Sequence, residues 1–183
     1  MYGMVNKAME EMVVARFGEA TWERIREAAG VEVEVFISNE AYGDDLTYRL
    51  VGAAHEVLGM PAAEILRLFG AHWVETAHRD YDHLMRVGGH TLADFLVNLP
   101  NFHTRVVLLF PELRPPNFRC TDVSPTSLRL HYHSSREGLA PFVEGLMVGL
   151  GARFGTPVRV RQLVAKGGAA DHDEFHVDWA PAA

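Results

Sequence analysis

Apolar residues in the first half of the chain recur every three or four positions, the period of an α-helix. Met4, Val5, Met9, Met12 and Val13 set the first such run, which ends near Phe17-Gly18. Thr21 reads as the N-cap of a second helix that continues to Gly30. Val31-Glu-Val-Glu-Val-Phe-Ile alternates like a strand, but its place between helical segments argues against one. Asp44 and Asp45 open an amphipathic helix through Tyr48, Leu50, Val51, Ala54 and Val57, closed at Gly59. Pro61 then takes the first position of a helix carrying Ile65, Leu66, Phe69, Trp73 and Val74. Beyond Gly88-Gly89 the spacing predicts a short helix from Thr91 to Leu99 and a longer one from about Asn101 to Phe110.

The pattern changes at the proline-rich elbow Pro111-Glu-Leu-Arg-Pro-Pro. Two β-like segments follow, Phe118 to Asp122 and Ser127 to His133, then an apolar helix, Leu139 to Phe154, with glycine along its surface. Val158 to Val164 and Asp173 to Trp179 alternate with period two. Four strands with hairpin-type connections and one crossing helix suggest an antiparallel sheet. The expected fold class is therefore α+β. A helical N-terminal part, about residues 1–60, packs on a C-terminal part, about 61–183, that holds the sheet and further helices. No linker separates them, so residues 1–183 read as a single domain.

Composition removes several function classes. Seventeen Lys+Arg stand against 24 Asp+Glu, a net charge of −7, and the only lysines are Lys7 and Lys166. That balance lacks the basic footprint of a nucleic-acid partner. A hydrophobic content of 48% is too high for a disordered chain. The single cysteine, Cys120, rules out a disulfide framework and a multi-cysteine metal site. No leader pattern and no apolar run of spanning length is visible, so the expectation is a cytoplasmic protein without a membrane partner. Phosphate-binding, dinucleotide, zincin and nucleophile-elbow motifs are all missing from the sequence.

Ten histidines are many for 183 residues, so any metal would be held by imidazole. His103 lies on a helix whose later turns are almost wholly apolar. It is either a satisfied core residue or an axial ligand to haem iron, and spacing does not choose between them. Tyr132-x-Ser134-x-Arg136 offers a phenol, a hydroxyl and a guanidinium on one strand face. Those groups can converge on carboxylates, although a strand ended by a capping arginine fits the same letters. His131 and His133 point away from Tyr132 and are expected on a solvated face. Asp171-His-Asp-Glu-Phe-His176 reads as a polar strand end, with a metal cluster as the alternative.

With His103 about thirty residues ahead of Tyr-x-Ser-x-Arg, the chain resembles the H-NOX (haem nitric oxide/oxygen binding) family, especially its cyanobacterial members and the haem domain of soluble guanylate cyclase. The resemblance also rests on Met1-Tyr-Gly-Met-Val-Asn-Lys-Ala, Asn98-Leu-x-Asn-x-His103, Arg114-Pro-Pro-x-Phe-x-Cys120 and Gly138-Leu-Ala-Pro. It implies haem b (iron protoporphyrin IX) buried between the two parts, with His103 as axial ligand to the metal. It implies that Tyr132, Ser134 and Arg136 bind the propionates, that Arg114 lies beside the cofactor, and that Pro116 presses on the porphyrin. Asp44 or Asp45 falls where the family places an acid that pairs with the clamp arginine. Met1, Val5, Met9, Trp73, Phe142, Leu146 and Met147 would form the distal pocket.

Members that hold O2 place a tyrosine over the bound gas; here that position matches Phe142. The resemblance thus implies an NO sensor that also binds CO and excludes O2, unless the Trp73 indole stabilises O2. Such a sensor is not itself an enzyme. NO would weaken the His103–iron bond, and the helical part would shift for a partner in trans, a histidine kinase or a cyclic-dinucleotide enzyme. Two other classes remain at this stage. One is a non-haem metal hydrolase using His131, His133, His172 or His176; the other is a cofactor-free helical adaptor.

Overall fold

In the computed structural model, which describes residues 1–180, seven helices and four strands follow one another in the order the sequence predicts. Two helices lead the chain, α1 (Gly3–Phe17) and α2 (Glu19–Ala28). Gly18, at φ 86°, supplies the left-handed turn that ends the first and begins the second. Thr21 is therefore not the cap: it lies inside α2, where its hydroxyl donates to the Phe17 carbonyl at 2.8 Å. Val31 and Phe36 are buried while Val35 and Ile37 are exposed, and no strand forms there.

Gly59, at φ 64°, closes α3 (Asp44–Leu58). Pro61 stands one residue ahead of α4 (Ala62–Arg86), at its cap rather than its first position. α4 has non-helical backbone at Tyr81. The hydroxyl of Thr91 caps α5 (Leu92–Val97) by accepting the Asp94 N–H at 3.1 Å. α6 (Leu99–Leu109) carries His103 and ends at the elbow.

The strands β1 (Asn117–Thr121), β2 (Ser127–His133), β3 (Val158–Val164) and β4 (Asp173–Trp179) form one antiparallel sheet in the order β1-β2-β4-β3. β2 pairs with β4 because the chain crosses over through α7 (Ala140–Arg153) and β3 before it returns. The register sets Phe118 opposite Tyr132 and Leu130 opposite Phe175, so one sheet face is buried.

Buried side chains fall into two clusters. Met9, Met12, Trp22, Ile25, Phe36 and Leu50 centre the first; Phe95, Leu96, Leu130, Met147 and Phe175 centre the second. α4 serves both, with Ile65, Leu66 and Phe69 in the first and Val74 and Met85 in the second. It meets α7 through glycine. A Cβ on Gly145 would lie 2.1 Å from the Arg67 carbonyl oxygen, and one on Gly70 would lie 2.2 Å from that of Phe142. This close approach fixes where the first turns of α7 sit over α4.

Candidate functional site

Between the two clusters lies a cavity of about 510 Å³. That is the size range of pockets which enclose a whole organic ligand. Met1, Val5, Trp73, Phe142, Leu146 and Met147 line it from α1, α4 and α7. His103, Arg114, Pro116, Tyr132 and Arg136 line it from α6, the elbow and the end of β2. Residues far apart in sequence thus meet around one apolar space.

Two of the expected residues do not line it. Met9 is fully buried in the first cluster, because α1 turns that position toward the other N-terminal helices. Ser134 lies between the lining residues Tyr132 and Arg136, and its hydroxyl oxygen accepts the Arg136 backbone N–H at 3.0 Å. The cavity wall also includes Tyr2 and Tyr81, whose rings pack edge-on against Phe110 at 5.5 and 5.9 Å. Tyr2 stands in the Met1-Tyr-Gly run without an assigned role and Tyr81 stands in no motif, so only the fold shows that they line the cavity.

The His103 ring is anchored from behind. Its Nδ1 donates to the Pro116 carbonyl at 3.1 Å, which leaves Nε2 as the lone-pair nitrogen of a cavity-lining ring. Burial lowers its pKa, and the Pro116 carbonyl offsets this only in part, so the imidazole is held neutral. A neutral, oriented imidazole is what a metal ligand requires. The ring continues an aromatic row: His103 to Phe118 is 5.7 Å between centroids, and Phe118 to Tyr132 is 5.2 Å.

Arg136 closes the opposite side. Its Nε and a terminal nitrogen grip Asp44 at 2.8 and 3.2 Å, and its other terminal nitrogen donates to the Arg114 carbonyl at 2.9 Å. Asp44, not Asp45, makes this bond; Asp45 faces Arg49 at 3.8 Å. Burial alone would raise the Asp44 pKa, but Arg136 and the Met1 amino group outweigh it and hold the carboxyl below its ordinary value. A guanidinium has five N–H donors, so two remain for another carboxylate. The Tyr132 phenol beside it is buried, which pushes its pKa up and keeps it a neutral donor.

The histidines outside the cavity depart from expectation. His131 is buried, not solvated, because His172 from the segment entering β4 folds over that face of β2. Cys120 is a packed thiol: its Sγ donates to the Leu96 carbonyl at 3.4 Å, and burial pushes its pKa up to about 11. Since the thiolate is the reactive form, Cys120 is expected to resist iodoacetamide at neutral pH in the folded protein. Mass spectrometry should find it modified only after denaturant is added.

Known proteins place this geometry. The family described as Haem-NO-binding (HNOB) matches residues 2–162. The soluble guanylate cyclases gcy-31 and gcy-35 of Caenorhabditis elegans are each 32% identical to this chain, over 79% and 80% of it. The chain spans about a fifth of the length of these curated relatives, 21% and 22%. Among solved structures, an H-NOX protein from S. oneidensis in the Fe(II)NO ligation state superposes with a TM-score of 0.89 at 20% identity, covering 98% of this chain and 99% of that one. The unliganded Fe(II) H-NOX protein from K. algicida gives 0.86 at 19% identity, over 100% and 98%. No helix among the described residues is long and apolar enough to cross a membrane. An apolar cavity braced by imidazole on one side and guanidinium on the other thus agrees with the family match: this chain belongs to the Haem-NO-binding family, the H-NOX proteins.

Proposed function

We propose that the cavity holds haem b and that the chain is a sensor of NO and CO that excludes O2. The observation that carries this reading is the cavity itself: one neutral imidazole, one carboxylate clamp, and apolar walls between them. This donor set fits a haem, whose iron takes an axial nitrogen and whose propionates need cationic and hydroxyl partners. When bound, ferrous haem supplies an open coordination position for a diatomic gas. His103 would hold the iron, Tyr132, Ser134 and Arg136 would bind the propionates, and Pro116 would press on the porphyrin. Met1, Val5, Phe142, Leu146 and Met147 are apolar walls that would keep water from the gas, and none of them carries a hydroxyl.

The contacts also supply a route for a signal. His103 is tied to Pro116, the Arg114 carbonyl two residues earlier accepts from Arg136, and Arg136 grips Asp44 at the start of α3. A change in how His103 is held therefore bears on the elbow, the clamp and the helical part together. Two arrangements of this path, favoured differently with and without gas, are what a switch needs. For the output we propose a partner enzyme, a histidine kinase or a cyclic-dinucleotide enzyme. The curated relatives are named as guanylate cyclases, which belong to the same broad class of nucleotide signalling.

An absorption spectrum of the reduced protein tests the gas reading. Five-coordinate ferrous haem, unchanged by air and shifted by NO and by CO, is the expected result; no Soret band after haem is supplied would overturn it. A second reading, O2 sensing, is favoured by Trp73. Trp73 lines the cavity, and its indole carries an N–H donor. Phe142→Tyr adds a hydroxyl on the same wall and is expected to lengthen the residence time of O2 roughly tenfold, the worth of one good hydrogen bond. Stopped-flow O2 dissociation checks this. A variant no different from the parent would mean that position 142 does not face the gas.

A further inference from the structure

The sheet has a second face, and its chemistry is unlike that of the cavity. His131 on β2 lies one residue from Tyr132 and points the other way, opposite Glu174 on β4. His131 Nδ1 lies 2.9 Å from His172 Nε2, Glu174 Oε1 lies 3.6 Å from the first and 3.4 Å from the second. We propose that His131, His172 and Glu174 form a three-ligand site for a divalent transition-metal ion of the zinc class.

The separations match the chemistry. Metal–ligand bonds of about 2.1 Å place ligand atoms roughly 3.4 Å apart in tetrahedral and 3.0 Å apart in cis-octahedral coordination. Two imidazoles and one carboxylate suit zinc better than calcium or magnesium, which take oxygen. Each ligand also has an outer partner of the kind that orients metal-bound side chains. Asp171 can only accept, so His172 Nδ1 carries the proton toward it and Nε2 keeps its lone pair. The Thr121 hydroxyl lies 2.9 Å from His131 Nε2 and orients the ring, so that Nδ1 faces His172. The proton that His131 Nδ1 shares with His172 Nε2 at 2.9 Å is the one a bound cation would replace. Arg129 holds the other Glu174 oxygen at 3.2 Å, which aims Oε1 inward, and its charge is already paired with Asp122 at 3.1 Å.

His131 is buried and the other two are half-buried, so solvent does not freely compete for them. His133 stacks on His172 at 4.0 Å and braces that ring without joining the ligand set. Three protein ligands leave a fourth position for water. A bound ion would fasten β2 to the entry of β4 on the side of the sheet that faces away from Tyr132.

Equilibrium dialysis of the untagged, haem-loaded protein against zinc chloride, with zinc and iron measured separately, tests the site. One tightly held zinc per chain is expected. His172→Ala and Glu174→Gln should each lose it, Thr121→Val should weaken it about tenfold as an orienting partner does, and His176→Ala should leave it unchanged. Each variant's Soret band reports that it is folded. No bound zinc in the parent, or zinc retained by both His172→Ala and Glu174→Gln, overturns the proposal.

Discussion

His103→Gly is expected to purify without haem, and to recover it only when imidazole is added to the buffer. The Nδ1 bond to Pro116 leaves this ring with one free nitrogen, and burial keeps that nitrogen unprotonated. Glycine removes both the ligand and the anchor, while a soluble imidazole can enter the space the side chain leaves. Losing an orienting partner alone costs a metal site about 10–100-fold in affinity, so losing the ligand itself should cost more. Glycine in the interior of α6 costs about 1 kcal/mol of helix stability, too little to unfold the protein. Haem per chain, from the Soret band against protein concentration, reads the effect, and far-ultraviolet circular dichroism confirms the fold. Unchanged haem content and spectrum would remove His103 from its axial role.

The second large effect should come from a single added methyl group. Gly145→Ala raises intrinsic helix propensity by about 1 kcal/mol, yet its Cβ would stand 2.1 Å from the Arg67 carbonyl oxygen. The oxygen is backbone of α4 and the Cβ is fixed directly to the backbone of α7, so the two helices must move apart as bodies. The expected net result is a loss of about 2–3 kcal/mol, the scale of overpacked cores. Gly52→Ala provides the contrast, because nothing lies within 4 Å of a Cβ there. That change should be neutral or stabilising by up to about 1 kcal/mol. Urea unfolding of the two variants separates propensity from packing. Equal midpoints would mean that the two helices do not meet as closely as described. Because Phe142 and Leu146 flank Gly145 on the cavity wall, Gly145→Ala should also hold haem more weakly.

Helices and strands were legible in the sequence because their signals are local. Gly59 and Thr91 act where the pattern places them, and the alternation of β3 and β4 survives in the sheet. Met9 was harder to place. Helical periodicity marks it as inward-facing, but two inward directions exist, one toward the cavity and one toward α2 and α3. The Thr21 reading failed because Gly18 starts the helix earlier and through the backbone alone. The burial of His131 was invisible for another reason. Period two gives only the face on which it lies, and whether that face is covered depends on His172, 41 residues away, after a crossover. The resemblance to H-NOX proteins gave the direction for His103 and Tyr-x-Ser-x-Arg. Tyr2, Tyr81 and the bidentate grip of Arg136 on Asp44 needed coordinates.

The double duty of α4 bears on modularity. The first cluster draws Ile65, Leu66 and Phe69 from the opening turns of that helix, and the second draws Val74 and Met85 from its later turns. A fragment ending at Leu58 would therefore leave the N-terminal core open along one side, with Met9, Met12 and Leu50 facing water. Recombination between relatives at that point would exchange half of each interior. The cleaner seam for building chimaeras lies outside this helix, and swapped helical segments should carry α4 with them.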